Sequence, residues 1–233
     1  MELKELFSEI SALNDDQIKA FEDYSRLLVS YNEKVNLTAI TDKDEINLEH
    51  FYDSCLPLKS GYFKEEMTVI DVGCGAGFPS IPLKIVMPSL KFTLMDATKK
   101  KTDFIEKAVS ELCLKDVSVV NMRAEEAAHM EEYREKFDMS VARAVAPLNV
   151  LLEYCVPFIN RGGYFAALKG NNASEEIGGS KKAADILGVK LADVFEYTLP
   201  GTDNIRNIII YEKIKSTDGK YPRKPGRPSK EPL

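Results

Sequence analysis

The stretch Asp71-Val72-Gly73-Cys74-Gly75-Ala76-Gly77-Phe78-Pro79 has the residue types and spacing best suited to chemistry. It lies between a strand-like run, Thr68–Val72, and a helix. Its alternating glycines let a backbone turn sharply and approach a ligand with no Cβ in the way. A dinucleotide would favour G-x-G-x-x-G, whose last glycine permits close strand–helix packing. Here that sixth place is Phe78, which would crowd the packing. A P-loop is excluded, because no Gly-Lys-Ser/Thr follows. A tight turn with no ligand is the weakest reading. Asp96 ends the next strand-like run, Lys91 to Met95, and stands 19 residues beyond Gly77. A carboxylate there accepts hydrogen bonds from both hydroxyls of a ribose, so it serves any nucleotide.

These residues need a scaffold, and the pattern supplies one. Residues 1–60 read as a helical cap. Leu3, Leu6, Phe7 and Ile10 fall on one helical face, and Ile18, Phe21, Tyr24 and Leu28 repeat the spacing in a longer segment. From Met67 onward short apolar runs alternate with helical ones. A long amphipathic helix carries Phe104, Ile105, Ala108, Val109 and Leu112. Val117–Val120 follows, then a charged helix from about Glu125 to Lys136, a strand near Phe137–Val141, a helix opened by Pro147, and a strand at Gly163–Leu168. Such alternation means right-handed crossovers and a mostly parallel sheet. Leu191–Thr198 and Asn207–Tyr211 are separated only by a turn, which places an antiparallel hairpin at one edge. The expected α/β organisation is a cap (1–60), a ligand-binding domain (61–215) and a basic, proline-rich tail (216–233) that is extended and mobile.

An acid at a strand end followed by G-x-G-x-G resembles the first motif of class I methyltransferases. That resemblance implies a Rossmann-like, seven-stranded sheet and S-adenosyl-L-methionine as cofactor, with S-adenosyl-L-homocysteine as product. The donor has no phosphate, so the loop accommodates its methionine portion. In that class the adenine commonly sits after the third strand, where Ala124-Glu125 offers a backbone N–H and a carboxylate for the ring edge and the exocyclic amine. An acid opening a helix to suit its dipole explains Glu125 equally well.

Several longer stretches resemble the bacterial 16S rRNA guanine-N7 methyltransferases, the glucose-inhibited division protein B family. They are Tyr31-Asn32-Glu33-Lys34-Val35-Asn36-Leu37-Thr38-Ala39-Ile40, His50-Phe51-Tyr52-Asp53-Ser54 and Gly77-Phe78-Pro79-Ser80-Ile81-Pro82. Further on come Arg123-Ala124-Glu125-Glu126, Ala142-Arg143-Ala144-Val145-Ala146, Leu168-Lys169-Gly170, Arg206-Asn207-Ile208 and Tyr221-Pro222-Arg223-Lys224. One stretch departs from the family pattern: D-S-x-x-K-R appears as Asp96-Ala97-Thr98-Lys99-Lys100-Lys101. The resemblance implies cofactor contacts at Gly73, Phe78, Ala124, Glu125 and Arg143, beside Gly75, Gly77 and Asp96 of the motif. Phe78 would pack on the methionine chain. Arg143 would bind the methionine carboxylate through paired donors, although a structural ion pair would also suit it.

The same resemblance implies methylation of N7 of guanine 527 in 16S rRNA of the small ribosomal subunit. N7 carries an accessible lone pair, so in-line transfer needs positioning more than proton removal, and we expect no catalytic acid or base. Arg123, Lys169, Arg206 and the tail bases Arg223, Lys224 and Arg227 are the candidates for gripping RNA. His50 and Asp53 match a family motif without an assigned role. A class I methyltransferase acting on a small molecule or protein, or a non-catalytic RNA-binding module, would use the same fold.

The bulk numbers fit this reading. The 233 residues suffice for one sizeable domain. Net charge is −6, yet from Lys213 onward seven bases face two acids, which leaves +5 there and −11 elsewhere. Such asymmetry suits a nucleic-acid contact or a solvated tail. The four scattered cysteines and two histidines have no metal-ligand spacing, so we expect reduced thiols and no metal. Without a membrane-length apolar run or a signal-like N-terminus, a cytoplasmic, monomeric protein is expected.

Overall fold

The computed structural model describes residues 2–233, and the chain begins in helices. α1 (Leu3–Leu6) and α2 (Asp15–Asn32) form the start of the cap. Asn14 caps α2 by accepting from the Gln17 N–H, while the Gln17 side chain accepts from the Asn14 N–H. This reciprocal box satisfies two donors that an open helix end would leave unpaired. The α2 face bearing Phe21, Tyr24, Leu27 and Leu28 is buried. A second helical run follows: α3 (Lys43–Glu45), a π-helical turn (Ile46–Tyr52), α4 (Asp53–Cys55) and a 3-10 turn (Leu56–Ser60).

The alternating part comprises β1 (Thr68–Val72), α5 (Ser80–Val86), β2 (Lys91–Asp96), α6 (Lys99–Glu111), β3 (Val117–Asn121) and α7 (Ala124–Ala127). It continues through β4 (Phe137–Arg143), α8 (Leu148–Cys155), β5 (Ile159–Lys169), α9 (Ala173–Leu187), β6 (Val189–Thr198), β7 (Ile205–Lys213) and α10 (Arg227–Lys230). The sheet has seven strands in the order β3-β2-β1-β4-β5-β7-β6. β1 pairs in parallel with β2 and β4, and β5 and β6 pair antiparallel with β7. The expected mostly parallel sheet with an antiparallel edge hairpin is therefore the one observed.

Side chains alternate across a strand, and this divides the core in two. Val69, Val141, Ile208 and Ile210 pack with Phe21, Tyr24, Phe51, Ile81 and Phe104. Ile70, Ala142 and Ile209 face the other way, onto Leu151, Leu152 and Leu187. The cap thus covers one face of the sheet, and α8 and α9 cover the other. Between β1 and β4 the chain's direction of travel across the sheet reverses. The carboxyl ends of strands at such a point splay apart and leave a crevice.

Three local expectations need correction. The charged helix from Glu125 to Lys136 is only the single turn of α7, followed by turns. α9 had no place in the sequence reading, because Gly178 and Gly179 interrupt it and its buried side chains are mostly small. The tail is not an extended mobile arm. The Arg134 guanidinium donates to the carbonyls of Ala128, Thr217 and Tyr221, and His129 Nε2 meets the Pro222 carbonyl at 2.8 Å. Tyr221, Pro222 and Pro228 are buried. A backbone whose carbonyls are satisfied by protein donors no longer depends on water, so a proline-rich composition does not require disorder.

Candidate functional site

β1 delivers the chain into the glycine loop, where two glycines are required for different reasons. Gly73 has φ +78°, and a Cβ there would lie 2.8 Å from Val145 Cγ2. Gly77 has φ +93°, and its Cβ would lie 2.5 Å from Ile81 Cδ1. Side chains rarely adopt such φ values, so both are strained positions for anything larger. The loop is also tied from outside. The Gly75 N–H donates to Asp96 Oδ2 at 3.1 Å, and the fully buried Tyr24 hydroxyl donates to the Ala76 carbonyl.

Beside the loop lies a cavity of about 320 Å³ whose lining includes Gly73, Asp96, Arg123, Ala124 and Glu125. Five of the expected residues thus come together from the ends of β1, β2 and β3. Asp96 and Glu125 are each 7 % exposed. Asp96 also accepts from the Thr98 N–H at 2.8 Å, and Lys101 Nζ stands 3.7 Å from its carboxylate. Lys101, Val145 and Tyr154 also line this cavity and had not been identified. Tyr154 lies in the last turn of α8, where sequence offers no signal for a ligand.

A second cavity of about 420 Å³ opens next to it, lined among others by Glu49, His50, Asp53, Arg143, Lys169 and Arg206. Ala144 borders both cavities and has φ +56°, an uncommon value for a residue with a side chain. The π-helical turn and α4 supply the cap's side of this second space. Arg143 Nη1 donates to Asp53 Oδ2 at 3.0 Å and to the Glu49 carbonyl at 3.2 Å. Arg206 meets Asp53 at 3.2 Å and Glu49 at 3.3 Å. Asp53 is held between two guanidiniums, yet burial outweighs them and raises its pKa from its ordinary value.

Some expected residues are occupied by protein. Phe78 is 7 % exposed; its ring stacks on His50 at 4.5 Å and lies under Arg143 at 4.9 Å, instead of facing the first cavity. Gly77 packs against the cap and Gly75 against Asp96, so neither borders the cavity. Most basic residues proposed to grip RNA are paired: Lys169 with Glu176 at 2.6 Å, Arg206 as above, Arg223 with Glu153 at 2.6 Å and Arg227 with Glu231 at 3.1 Å. Lys213, counted with the basic end, is fully buried against Glu135. Arg123 and Lys224 are exposed and form no ion pair among the described residues. The sequence reading had not anticipated the acids that neutralise this set, Glu49, Glu153 and Glu176.

Two buried groups titrate abnormally. Burial, reinforced by Arg143, pulls His50 down to about 4; its Nε2 meets the Thr38 hydroxyl at 2.7 Å and its Nδ1 has no partner. Burial pushes Asp71 up to about 7, with Ser80 Oγ donating to it at 2.6 Å. Their stability effects oppose each other. Below about 6.5 the unfolded chain protonates the histidine first, so the His50 contribution is complete above that value and is lost as pH falls towards 4. The folded chain keeps the Asp71 proton longer, so that contribution is complete below 3.8 and is lost as pH rises to about 7. We expect His50→Gln to gain stability relative to the parent as pH is lowered from 6.5 to 4.5, by up to about 1.4 kcal/mol per pH unit. Urea midpoints across that range test this; a pH-independent difference refutes it.

Among the described residues, no helix is long and apolar enough to cross a membrane, and no group of acids, histidines and cysteines is placed to hold a metal ion. The four cysteines are free, and all but Cys113 are buried.

The fold is shared with solved structures of low sequence identity. A SAM-dependent methyltransferase from Aquifex aeolicus aligns with a TM-score of 0.56 at 21 % identity, covering 78 % of this chain and 97 % of that one. M. jannaschii TYW2 in complex with AdoMet aligns with a TM-score of 0.52 at 14 % identity, covering 67 % of this chain and 74 % of that one. The protein therefore has the class I methyltransferase fold. Relatives are more specific. The ribosomal RNA small subunit methyltransferase G of Acetivibrio thermocellus is 51 % identical over 95 % of this chain and 90 % of its own. That of Lactobacillus johnsonii is 49 % identical over 99 % and 97 %. The model of the family described as rRNA small subunit methyltransferase G matches residues 17–205. With its glycine loop, its paired cavities and its near full-length likeness to these enzymes, the chain belongs to the rRNA small subunit methyltransferase G family.

Proposed function

We propose that this protein transfers a methyl group from S-adenosylmethionine to N7 of guanine 527 in 16S rRNA. The observation that carries the reading is the state of the ionisable groups around the second cavity. Glu49, Asp53 and Glu176 are each held by an arginine or lysine, and His50 titrates near 4. A base of that pKa accepts a proton poorly at neutral pH. Such a cavity suits an acceptor that already presents a lone pair, as guanine N7 does.

The first cavity fits the donor by its chemistry. Asp96 would offer carboxylate oxygens to the ribose, the Ala124 N–H and Glu125 would hold the adenine, and Gly73 keeps the lining free of a side chain there. Bound there, S-adenosylmethionine supplies an electrophilic methyl on a sulfonium. The chain's own part is to orient the base in line and exclude water. Arg143, at the end of β4 and lining the second cavity, retains guanidinium donors beyond those given to Asp53 and Glu49 and is the group for the methionine carboxylate, reached past Ala144, which borders both spaces. The target base must be unstacked or in a loop to enter. Arg123 and Lys224 remain to neutralise phosphates.

The test is transfer of labelled methyl to small subunits, large subunits or naked RNA from a strain lacking the modification. Label confined to small-subunit RNA, and released as a single cleavage at a 7-methylguanine, is the expected result. Label elsewhere, or on another atom, refutes it. Arg123→Ala and Lys224→Ala are each expected to reduce the salt slope of RNA binding by about 1 without altering cofactor affinity. An unchanged slope in both removes them from the RNA interface.

A further inference from the structure

We propose that the C-terminal tail is a strap that positions Glu125 and Tyr154 at the adenine end of the cofactor cavity, so that the Glu125 carboxylate reads the exocyclic amine. This rests on the cofactor reading above and extends it to a segment whose composition suggested an RNA arm. The Gly226 N–H donates to Glu125 Oε1 at 3.0 Å. With one oxygen fixed from behind by a tail amide, the other is left to accept a hydrogen bond from inside the cavity.

Gly226 is held in place by the clamp three residues earlier. Glu153 is fully buried and accepts from the Arg223 backbone N–H at 2.8 Å, from its Nε at 2.9 Å and from its Nη2 at 2.6 Å. A fork of this kind fixes orientation as well as distance. Beyond Gly226, which has φ +79°, the chain turns back and Ser229 Oγ meets the Tyr154 hydroxyl at 2.9 Å. Glu153 and Tyr154 are neighbours on α8, and Tyr154 lines the cavity. The clamp and the two cavity residues it serves therefore form one connected unit. The charge of Arg223 is spent on Glu153 and that of Arg227 on Glu231, which favours a positioning role over phosphate binding.

The experiment uses the full-length protein and two ligands in calorimetry: S-adenosylhomocysteine and its hypoxanthine counterpart, which carries an oxygen in place of the amine. The parent is expected to prefer the adenine ligand. Glu125→Gln presents an amide and is expected to collapse or invert that preference. Glu153→Ala combined with Arg223→Ala releases the strap without stranding a buried charge, and is expected to cut the preference about tenfold, chiefly by weakening the adenine ligand. Arg223→Lys keeps the charge without the fork and is expected to fall between; it serves if the paired variant does not fold, as judged by circular dichroism. A general loss of stability would weaken both ligands alike and leave their ratio unchanged. If Glu125→Gln changes the ratio while the strap variants keep it, the strap proposal is overturned. If none of them changes it, the adenine reading itself falls.

Discussion

Asp96→Ala is expected to raise the Kd for S-adenosylhomocysteine at least about a hundredfold while leaving the fold intact. The residue borders the first cavity and is 7 % exposed. Its carboxylate has two tasks. It anchors the Gly75 and Thr98 amides, which sets the approach of the glycine loop to β2. In the proposed function its remaining lone pairs would serve the ribose. Hydrogen bonds to a charged group contribute roughly 1.5–3 kcal/mol each, so two sugar contacts amount to about two or more powers of ten. Asp96→Asn keeps one acceptor oxygen and is expected to lose about tenfold. Calorimetry with matched thermal melts measures both; an alanine variant within threefold of the parent would refute the assignment.

Arg143→Ala is expected to lower both stability and methyl transfer, and the two losses should separate. Removing the guanidinium leaves Asp53, 9 % exposed at its side chain, with Arg206 as its remaining partner. Leaving a buried carboxylate with one cationic partner in place of two costs up to about 3 kcal/mol, and for a domain of this size each kcal/mol moves Tm by roughly 2–4 °C. A fall of up to about 6–12 °C follows. Combining Arg143→Ala with Asp53→Ala should recover much of that Tm, because no charge is stranded. It should not recover transfer to small-subunit RNA, expected to drop at least about a hundredfold when the donor's carboxylate loses its anchor. Recovery of both in the double variant would reduce Arg143 to an ion-pair partner.

How much of this was legible in the sequence depends on the range of the interaction. β1, β2 and β3 were readable because each is a short apolar run standing between helical patterns, and the glycine loop because its spacing is a backbone requirement expressed in consecutive residues. Asp96 and Ala124-Glu125 followed from their places after strands. The pairing of Arg143 with Asp53 was not readable, since the partners are 90 residues apart and nothing in either segment names the other. The tail's docking was hidden for the same reason: Arg223 reads as an exposed base until α8 brings Glu153 to it across 70 residues. α9 escaped because Ala183 and Ala184, with small side chains, carry its buried face together with Leu187.

The π-helical turn at Ile46–Tyr52 sets a register. A π turn holds more residues per turn than an α-helix and amounts to one extra residue accommodated without breaking the helix. Removing any one residue of the turn would let it relax to ordinary α-helix. Residues beyond the turn would keep their facing while those within it shift about the helix axis relative to them. Glu49 lies within the turn and Asp53 just after it, so they would no longer face Arg206 together. The segment therefore tolerates substitution on its outer side far better than a change in length.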